Sequence, residues 1–299
     1  KEYADLFTVA IVTRVNNADK YMDLIKKYNK NARIIFNTID LHYLREQRQA
    51  QLTKNKYKME EALNIKEIEL KSIRNSDKTI VVSNVEKEYL LNEGLEKNKI
   101  TVLPLLREFK ENAINKFENR QDTVVFIGNF NHSPNLDAVQ YLIDELWPFI
   151  ELNSYKDHNF NMTLEIVGPN LPEEIIRKIE KSSSNIIYHG FVKDLEKIMQ
   201  STKLSIAPLR YGAGLKGKII SSFEYGVPVV GSEIAFEGIG IDSIGAIKSL
   251  IASNKKEYYS HIINLILDKE QWDQLSLKLF KFTKNHYSIE TNEQIIRNI

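Results

Sequence analysis

The stretch Ala207–Glu233, APLRYGAGLKGKIISSFEYGVPVVGSE, gathers groups suited to holding an anion. Gly212, Gly214 and Gly217 make a small permissive loop, and Arg210, Lys216 and Lys218 set three cations on or beside it. A helix starts within the stretch, and peptide N–H groups at a helix N-terminus with cations nearby suit a phosphate or pyrophosphate. In this reading Lys218 and Arg210 neutralise charge while the glycines let the backbone come close. The competing reading is a surface loop with incidental lysines, since the spacing is neither a P-loop nor G-x-G-x-x-G. His42 titrates near neutrality and so suits contact with a sugar or deprotonation of a hydroxyl, or it caps the following helix or satisfies a buried carbonyl. His189, at a strand end, reads as structural. His132, His158, His261 and His286 show no ligand spacing, and a metal site is not expected.

These groups need elements to place them. Leu6–Thr13, Ile34–Asn37, Thr79–Ser83 and Ile100–Leu103 read as buried strands, with a helical stretch over about Leu44 to Asn75. The polar run after Pro104 marks a boundary near 105–120. Beyond it, Thr123–Ile127 ends at Gly128, Met162–Val167 at Gly168–Pro169, and Asn185–Tyr188 at His189–Gly190. Leu204–Pro208 ends at RYGAGLKG and Val227–Val230 at Gly231–Ser232, with helices predicted over Pro134–Ile150, from about Pro172, over 254–285 and at the C-terminus. Strand, loop and helix in this rhythm imply right-handed crossovers and parallel sheets, with ligands outside the carboxyl ends of the strands. The glycine-bearing loops lie at that edge.

Composition agrees and excludes. The chain has 299 residues, no cysteine and a formal net charge of +1. That length suggests two domains, and the absence of thiols removes disulfides and thiolate ligands. The charge balance gives no argument for nucleic acid or an anionic membrane surface. No apolar run reaches the roughly 18–20 residues of a membrane span, and the start shows no signal-peptide pattern. All 7 prolines lie at or after Pro104, and 11 of 12 glycines at or after Gly128, so the second half is where a site is expected.

The order GNF…SPN, IVGP, HGFV-x-D, APLRYGAGLKGKI and YGVPVV resembles the C-terminal half of family 4 glycosyltransferases of the GT-B fold. Upstream, FNTIDLHYLRE, SDKTIVVSNVEKEYL and ITVLP resemble the later part of their N-terminal domain. The resemblance implies an α/β protein of two Rossmann-like domains with parallel sheets. A partial N-terminal domain covers 1–107, a linker 108–120 and the nucleotide-sugar domain 121–285; the helix 286–299 is expected to pack back on the first domain. It implies transfer of a sugar from a nucleotide donor to an acceptor hydroxyl, with retention and without a bound metal or other cofactor. Gly128, Asn129 and Phe130 would approach the donor phosphates, and Gly190, Phe191 and Val192 the nucleobase. Arg210, Gly212, Gly214, Lys216 and Lys218 would hold the diphosphate, and Asp40 and His42 would face the cleft near sugar and acceptor. Many members carry two glutamates eight positions apart; here Ala213 and Ser221 stand there, leaving Ser221, Ser222 or Glu224 for the ribose.

The expected protein acts in glycan or polysaccharide assembly in the cytoplasm, with peripheral contact at the inner membrane face allowed. Its partners are a nucleotide sugar and an unidentified acceptor, and its N-terminal sheet is completed by another domain or subunit. A non-catalytic nucleotide-sugar module is the alternative; an epimerase or a dehydrogenase fits the motifs less well.

Overall fold

The computed structural model describes residues 6–110, 114–182, 184–241, 245 and 249–299. It contains two parallel sheets. In the first, β1 (Val9–Thr13), β2 (Arg33–Asn37), β3 (Lys78–Val81) and β4 (Ile100–Val102) lie side by side in chain order. Right-handed crossovers that step in one direction leave their helices on one face. On that face Val12, Ile34, Phe36 and Val81 join Leu70, Ile73 and Leu90 from the helices in one apolar core. Val9 and Ile11 point the other way and remain 45% and 63% exposed.

The second sheet reverses direction. β5 (Gln121–Ile127), β6 (Thr163–Val167), β7 (Ile186–Gly190), β8 (Thr202–Ala207) and β9 (Val229–Gly231) stand in the order β7-β6-β5-β8-β9. The reversal places helices on both faces and opens a crevice at the carboxyl ends of β5 and β8, where ligands bind in such sheets. Val124, Phe126, Leu164, Ile166, Leu204 and Ile206 are at most 1% exposed, the alternate-residue pattern expected of strands packed by helices.

Three helical predictions change in detail. The stretch 44–75 divides into helices His42–Leu52 and Lys56–Asn75, because Lys54 turns left-handed (φ 51°) and the Asn55 side chain caps the second helix through Lys58 N–H. The stretch 254–285 divides into Lys255–Leu267 and Lys269–Tyr287, where Asp268 accepts from Gln271 N–H at 2.9 Å. The helix from Ser133 runs on to His158 and widens to a π turn at Leu142–Leu146. Pro148 has no N–H for an ordinary helical bond there, and Trp147 N–H instead reaches Leu142 O.

Between the sheets the chain passes Arg107, whose N–H donates to Tyr287 O at 2.8 Å, so the C-terminal helices meet the connecting segment. Arg120 then staples the second half. Its guanidinium donates to the carbonyls of Asn115, Met199, Thr202 and Tyr225 and lies 4.9 Å from the Trp272 ring. Arg120→Met should cost about 2–3 kcal/mol, measured by denaturant unfolding, since buried carbonyls lose a charged donor. Arg120→Lys should recover little of it, having no planar fork.

Candidate functional site

A cavity of about 440 Å³ opens at the reversal point of the second sheet. The loop after β5 contributes Gly128, Asn129 and His132, the loop after β6 Gly168 and Pro169, and the loop after β7 Phe191 and Val192. The loop after β8 contributes Leu209 and then Gly212, Ala213, Leu215, Lys216, Gly217 and Lys218, with Ser221 from the helix that follows. The first two loops touch through backbone. Gly168 has φ +142°, and a Cβ there would run into the Gly128 carbonyl oxygen. Gly128 N–H donates to Val167 O at 3.0 Å and Phe130 N–H to Pro169 O at 3.1 Å, which locks the pair together.

The β8 loop is built to receive an anion. Among the described residues, the peptide N–H groups of Gly212 through Lys218 meet no protein acceptor. They lead into helix Gly217–Glu224, whose N-cap is Lys216 and which has no side-chain cap. Open N–H groups and the helix dipole favour negative charge at this point. Lys218 Nζ donates to Asn135 Oδ1 at 2.7 Å and lies 4.4 Å from the Phe126 ring centroid, with no carboxylate paired to it among the described residues. Burial pushes its ammonium down to about 7. Lys216 donates to Gly214 O at 2.8 Å, and burial pushes it down to about 8, against the fields of Glu237, Glu86 and Asp40.

The first half supplies a wall beside this loop. Ile39 sits at φ 66°, and a Cβ on Gly214 would come 2.8 Å from the Asp40 Cβ. Two buried glutamates from other helices hold the segment. Glu86 accepts from Leu41 and Val82 N–H, both at 3.0 Å, and Glu69 accepts from His42 at 3.2 Å and Tyr43 at 3.0 Å. Burial raises Glu69 to about 8 and Glu86 to about 7. Helix His42–Leu52 therefore receives its N-terminal cap from Glu69 rather than from Leu41, its own N-cap residue.

The structure distributes the expected residues unevenly. Gly128, Asn129, Phe191, Val192, Gly212, Lys216, Lys218 and Ser221 line the cavity. Ala213 and Ser221, at the positions where the resemblance expects glutamates, both line it, so the wall has no carboxylate at either place. Gly190, at φ +67°, shapes the β7 turn and accepts from Gly168 N–H, and Gly214 meets Asp40. Other expected groups stand outside. Arg210 turns to a neighbouring cavity and pairs with Asp137 through two bonds, one of them Nε–Oδ2 at 2.8 Å. Phe130 is 2% exposed and stacks on Phe126 in the core. Ser222 bonds to Ser205 and to the Lys218 carbonyl, and Glu224 faces Arg107 at 3.7 Å.

Asp40 pairs with Arg45, while the His42 ring stacks its polar contacts on Arg45 at 2.7 and 3.1 Å and lies 3.6 Å from Glu46. Burial and the Arg45 charge hold His42 below its ordinary value. Neither Asp40 nor His42 lines the cavity; His132 does, and it was set aside in the sequence for lack of ligand spacing. Its signal was its place in NFNHSPN, immediately after the β5 loop. Asn135, which holds Lys218, was also missed. Among the described residues no three His, Asp or Glu side chains are grouped as a metal ion needs, and no helix is long and apolar enough to cross a membrane.

The site is therefore a crevice at the reversal point of a parallel sheet, walled by loops with open peptide N–H groups and two lysines. Comparison narrows the class. Residues 121–268 match the model of the family described as Glycosyl transferases group 1. A Klebsiella pneumoniae protein described as "Uncharacterized 44.6 kDa protein in cps region" is 24% identical over 192 residues. That match takes in 62% of this chain and 47% of the relative, so it spans about half the relative's length. The fold is GT-B. The structure of TarM superposes with a TM-score of 0.70 at 17% identity, over 97% of this chain and 54% of TarM. Sucrose-phosphate synthase from Thermosynechococcus elongatus gives 0.70 at 14% identity, over 99% and 75%. Anabaena HepE in complex with UDP-glucose gives 0.65 at 13%, over 99% and 79%.

Proposed function

We propose that this chain belongs to a glycosyltransferase that moves a sugar from a nucleoside diphosphate sugar to an acceptor hydroxyl with retention. The observation that carries the reading is the pairing of Lys218, a partly buried cation without a carboxylate among the described residues, with the open N–H groups of residues 212–218. A diphosphate satisfies both at once. As the bond from the sugar carbon to the diphosphate breaks, Lys218, Lys216 and the peptide groups take up the charge on the leaving group without a metal. The acceptor oxygen attacks from the same face, and its proton leaves onto the departing phosphate.

Within the cavity, Gly128 and Asn129 lie on the phosphate side. Phe191, 71% exposed at the rim, and Val192 offer an apolar surface for the base. Ser221 is the hydroxyl nearest the role of the missing glutamate. His132 faces the cavity, and burial, with the Arg45 charge, holds it below its ordinary value. The wall carrying His132, Asp40 and His42 is the sugar and acceptor side in this reading. UDP is the first donor nucleotide to try, because HepE and the pneumococcal O-GlcNAc transferase GtfA are described with UDP. Glycan or polysaccharide assembly on the cytoplasmic side of a membrane is the setting we assign.

Further chain completes the first sheet in this proposal. β1 is an edge strand, its outward Val9 and Ile11 are uncovered, and Leu6 beside it is 77% exposed. An apolar edge of that kind needs a strand or helix laid on it.

The test is a thermal-shift panel of UDP, GDP and dTDP followed by calorimetry, since a ligand held at 100 times its Kd stabilises by about 2.7 kcal/mol. One nucleotide should bind, and Phe191→Ala should weaken it several-fold with no change in melting temperature. Failure of all three to bind overturns the donor site.

A further inference from the structure

The β8 loop is tied to the first half by side chains that do not line the cavity. Arg48, in helix His42–Leu52, donates from Nη1 to Gly212 O at 2.7 Å. Glu237 holds the same guanidinium through both oxygens, at 3.0 and 2.7 Å, and Tyr89 OH lies 3.2 Å from Nη2. The Arg48 and Glu237 side chains are 16% and 19% exposed, so the fork is largely screened from water. Next to it Gln49 Nε2 donates to Tyr211 OH at 2.9 Å, and Gly214 has backbone-close contact with Ile39 and Asp40.

This bond sets the direction of a peptide. In a trans peptide the C=O and the following N–H point opposite ways. With its carbonyl drawn to Arg48, the Gly212–Ala213 peptide must present the Ala213 N–H away from the first half. Two residues on, Lys216 takes the Gly214 carbonyl at 2.8 Å, which fixes that peptide as well. Gly212, Ala213 and Leu215 all line the cavity. Successive N–H groups aimed to one side make an anion-binding concavity. The glycines that make such a loop permissive also leave it free to turn these peptides over, and the Arg48 fork removes that freedom.

We propose that Arg48 is a positioning residue that presets the diphosphate loop across the gap between the two sheets, so that the nucleotide binds more tightly when both halves are seated together. Arg48 makes no contact with the ligand; it acts through the Gly212 peptide. The proposal rests on the nucleotide reading of the cavity, and the experiment separates the two. The wild-type protein, Arg48→Met, Arg48→Lys and Glu237→Gln are titrated by calorimetry with UDP, GDP and dTDP. Hydrogen exchange of residues 219–224, whose amides are bonded in the helix that the loop feeds, is followed without nucleotide.

Arg48→Met should lose on the order of 10-fold in affinity, the scale of one charged hydrogen bond, and should exchange faster over 219–224 than wild type while β5 keeps its protection. Arg48→Lys keeps a donor for Gly212 O without the fork and should recover part of both effects. Glu237→Gln, which loosens the fork, should fall between, and serves as the reading if Arg48→Met does not fold. A purely structural ion pair would lower the melting temperature and leave the affinity of the folded protein intact. Unchanged affinity and unchanged exchange in Arg48→Met or Glu237→Gln, with the wild type binding normally, overturn the proposal. A wild type that binds none of the three nucleotides overturns the nucleotide reading and the proposal with it.

Discussion

Lys218→Met is expected to weaken nucleoside diphosphate binding by roughly 10–100-fold, the scale of charged hydrogen bonds lost in a sheltered site. The same substitution should hold or raise the melting temperature. An amine whose value falls from 10.5 to about 7 on burial opposes folding below that lower value, and the penalty fades as pH rises between the two. Methionine fills the space beside Phe126 without that penalty. Opposite signs on affinity and stability distinguish a ligand-holding lysine from a structural one. The pH profile adds a second signature. Below pH about 7 Lys218 is charged with or without ligand, so affinity is flat in this group. Above it the diphosphate must draw a proton onto the amine, and affinity falls by up to about tenfold per pH unit. Calorimetry in buffers of different ionisation enthalpy should show proton uptake at pH 8 in the wild type and a smaller uptake in Lys218→Met. Equal affinity of the two proteins at every pH would remove Lys218 from the site.

Gly168→Ala is expected to be the most damaging single methyl in the second half. The residue combines a left-handed φ of +142° with a Cβ path blocked by the Gly128 carbonyl. Backbone, unlike a flexible side chain, cannot swing aside, so strain and overpacking add to roughly 3–5 kcal/mol. Relief would come by parting the β5 and β6 loops, which opens the Gly128 and Asn129 wall of the cavity. Loss of nucleotide binding should therefore accompany the loss in stability seen by denaturant unfolding, and it should persist at temperatures where the variant is fully folded. Gly94→Ala makes the control. That glycine also has positive φ, at +76°, but a Cβ there meets nothing within 4 Å, so the variant should lose about 1 kcal/mol and keep its affinity.

Much of this arrangement was legible in the residues. Strand-ending glycines and prolines mark the carboxyl edge of the second sheet because a parallel sheet needs sharp exits there, and Gly128, Gly168 and the 212–217 loop do meet in the crevice. The glycine–lysine run likewise announced cations beside an open helix N-terminus. Direction was not legible. Arg210, Lys216 and Lys218 are alike in type and spacing, yet Asp137 draws Arg210 outward, and that carboxylate lies on a helix 73 residues earlier. Phe130 sits one position from Asn129 and turns into the core, as alternate residues at a strand exit do. Glu224 finds Arg107 across the chain. The first half hid its contribution further, since Arg48, Glu69 and Glu86 lie in helices rich in charge, where no local pattern marks which charges turn inward. Two of them are buried carboxylates that cap peptide groups, a role no local pattern encodes.

The ascending order of the first sheet carries a last consequence. The four described strands of the first sheet step one way without reversing, so the cavity at a reversal point belongs to the second sheet. What it offers the chemistry is delivered sideways, by the shoulder at Ile39–Asp40 and the arm of Arg48 leaning on a neighbour's loop. Of two outwardly similar halves, one is the vessel and the other the hand that steadies it.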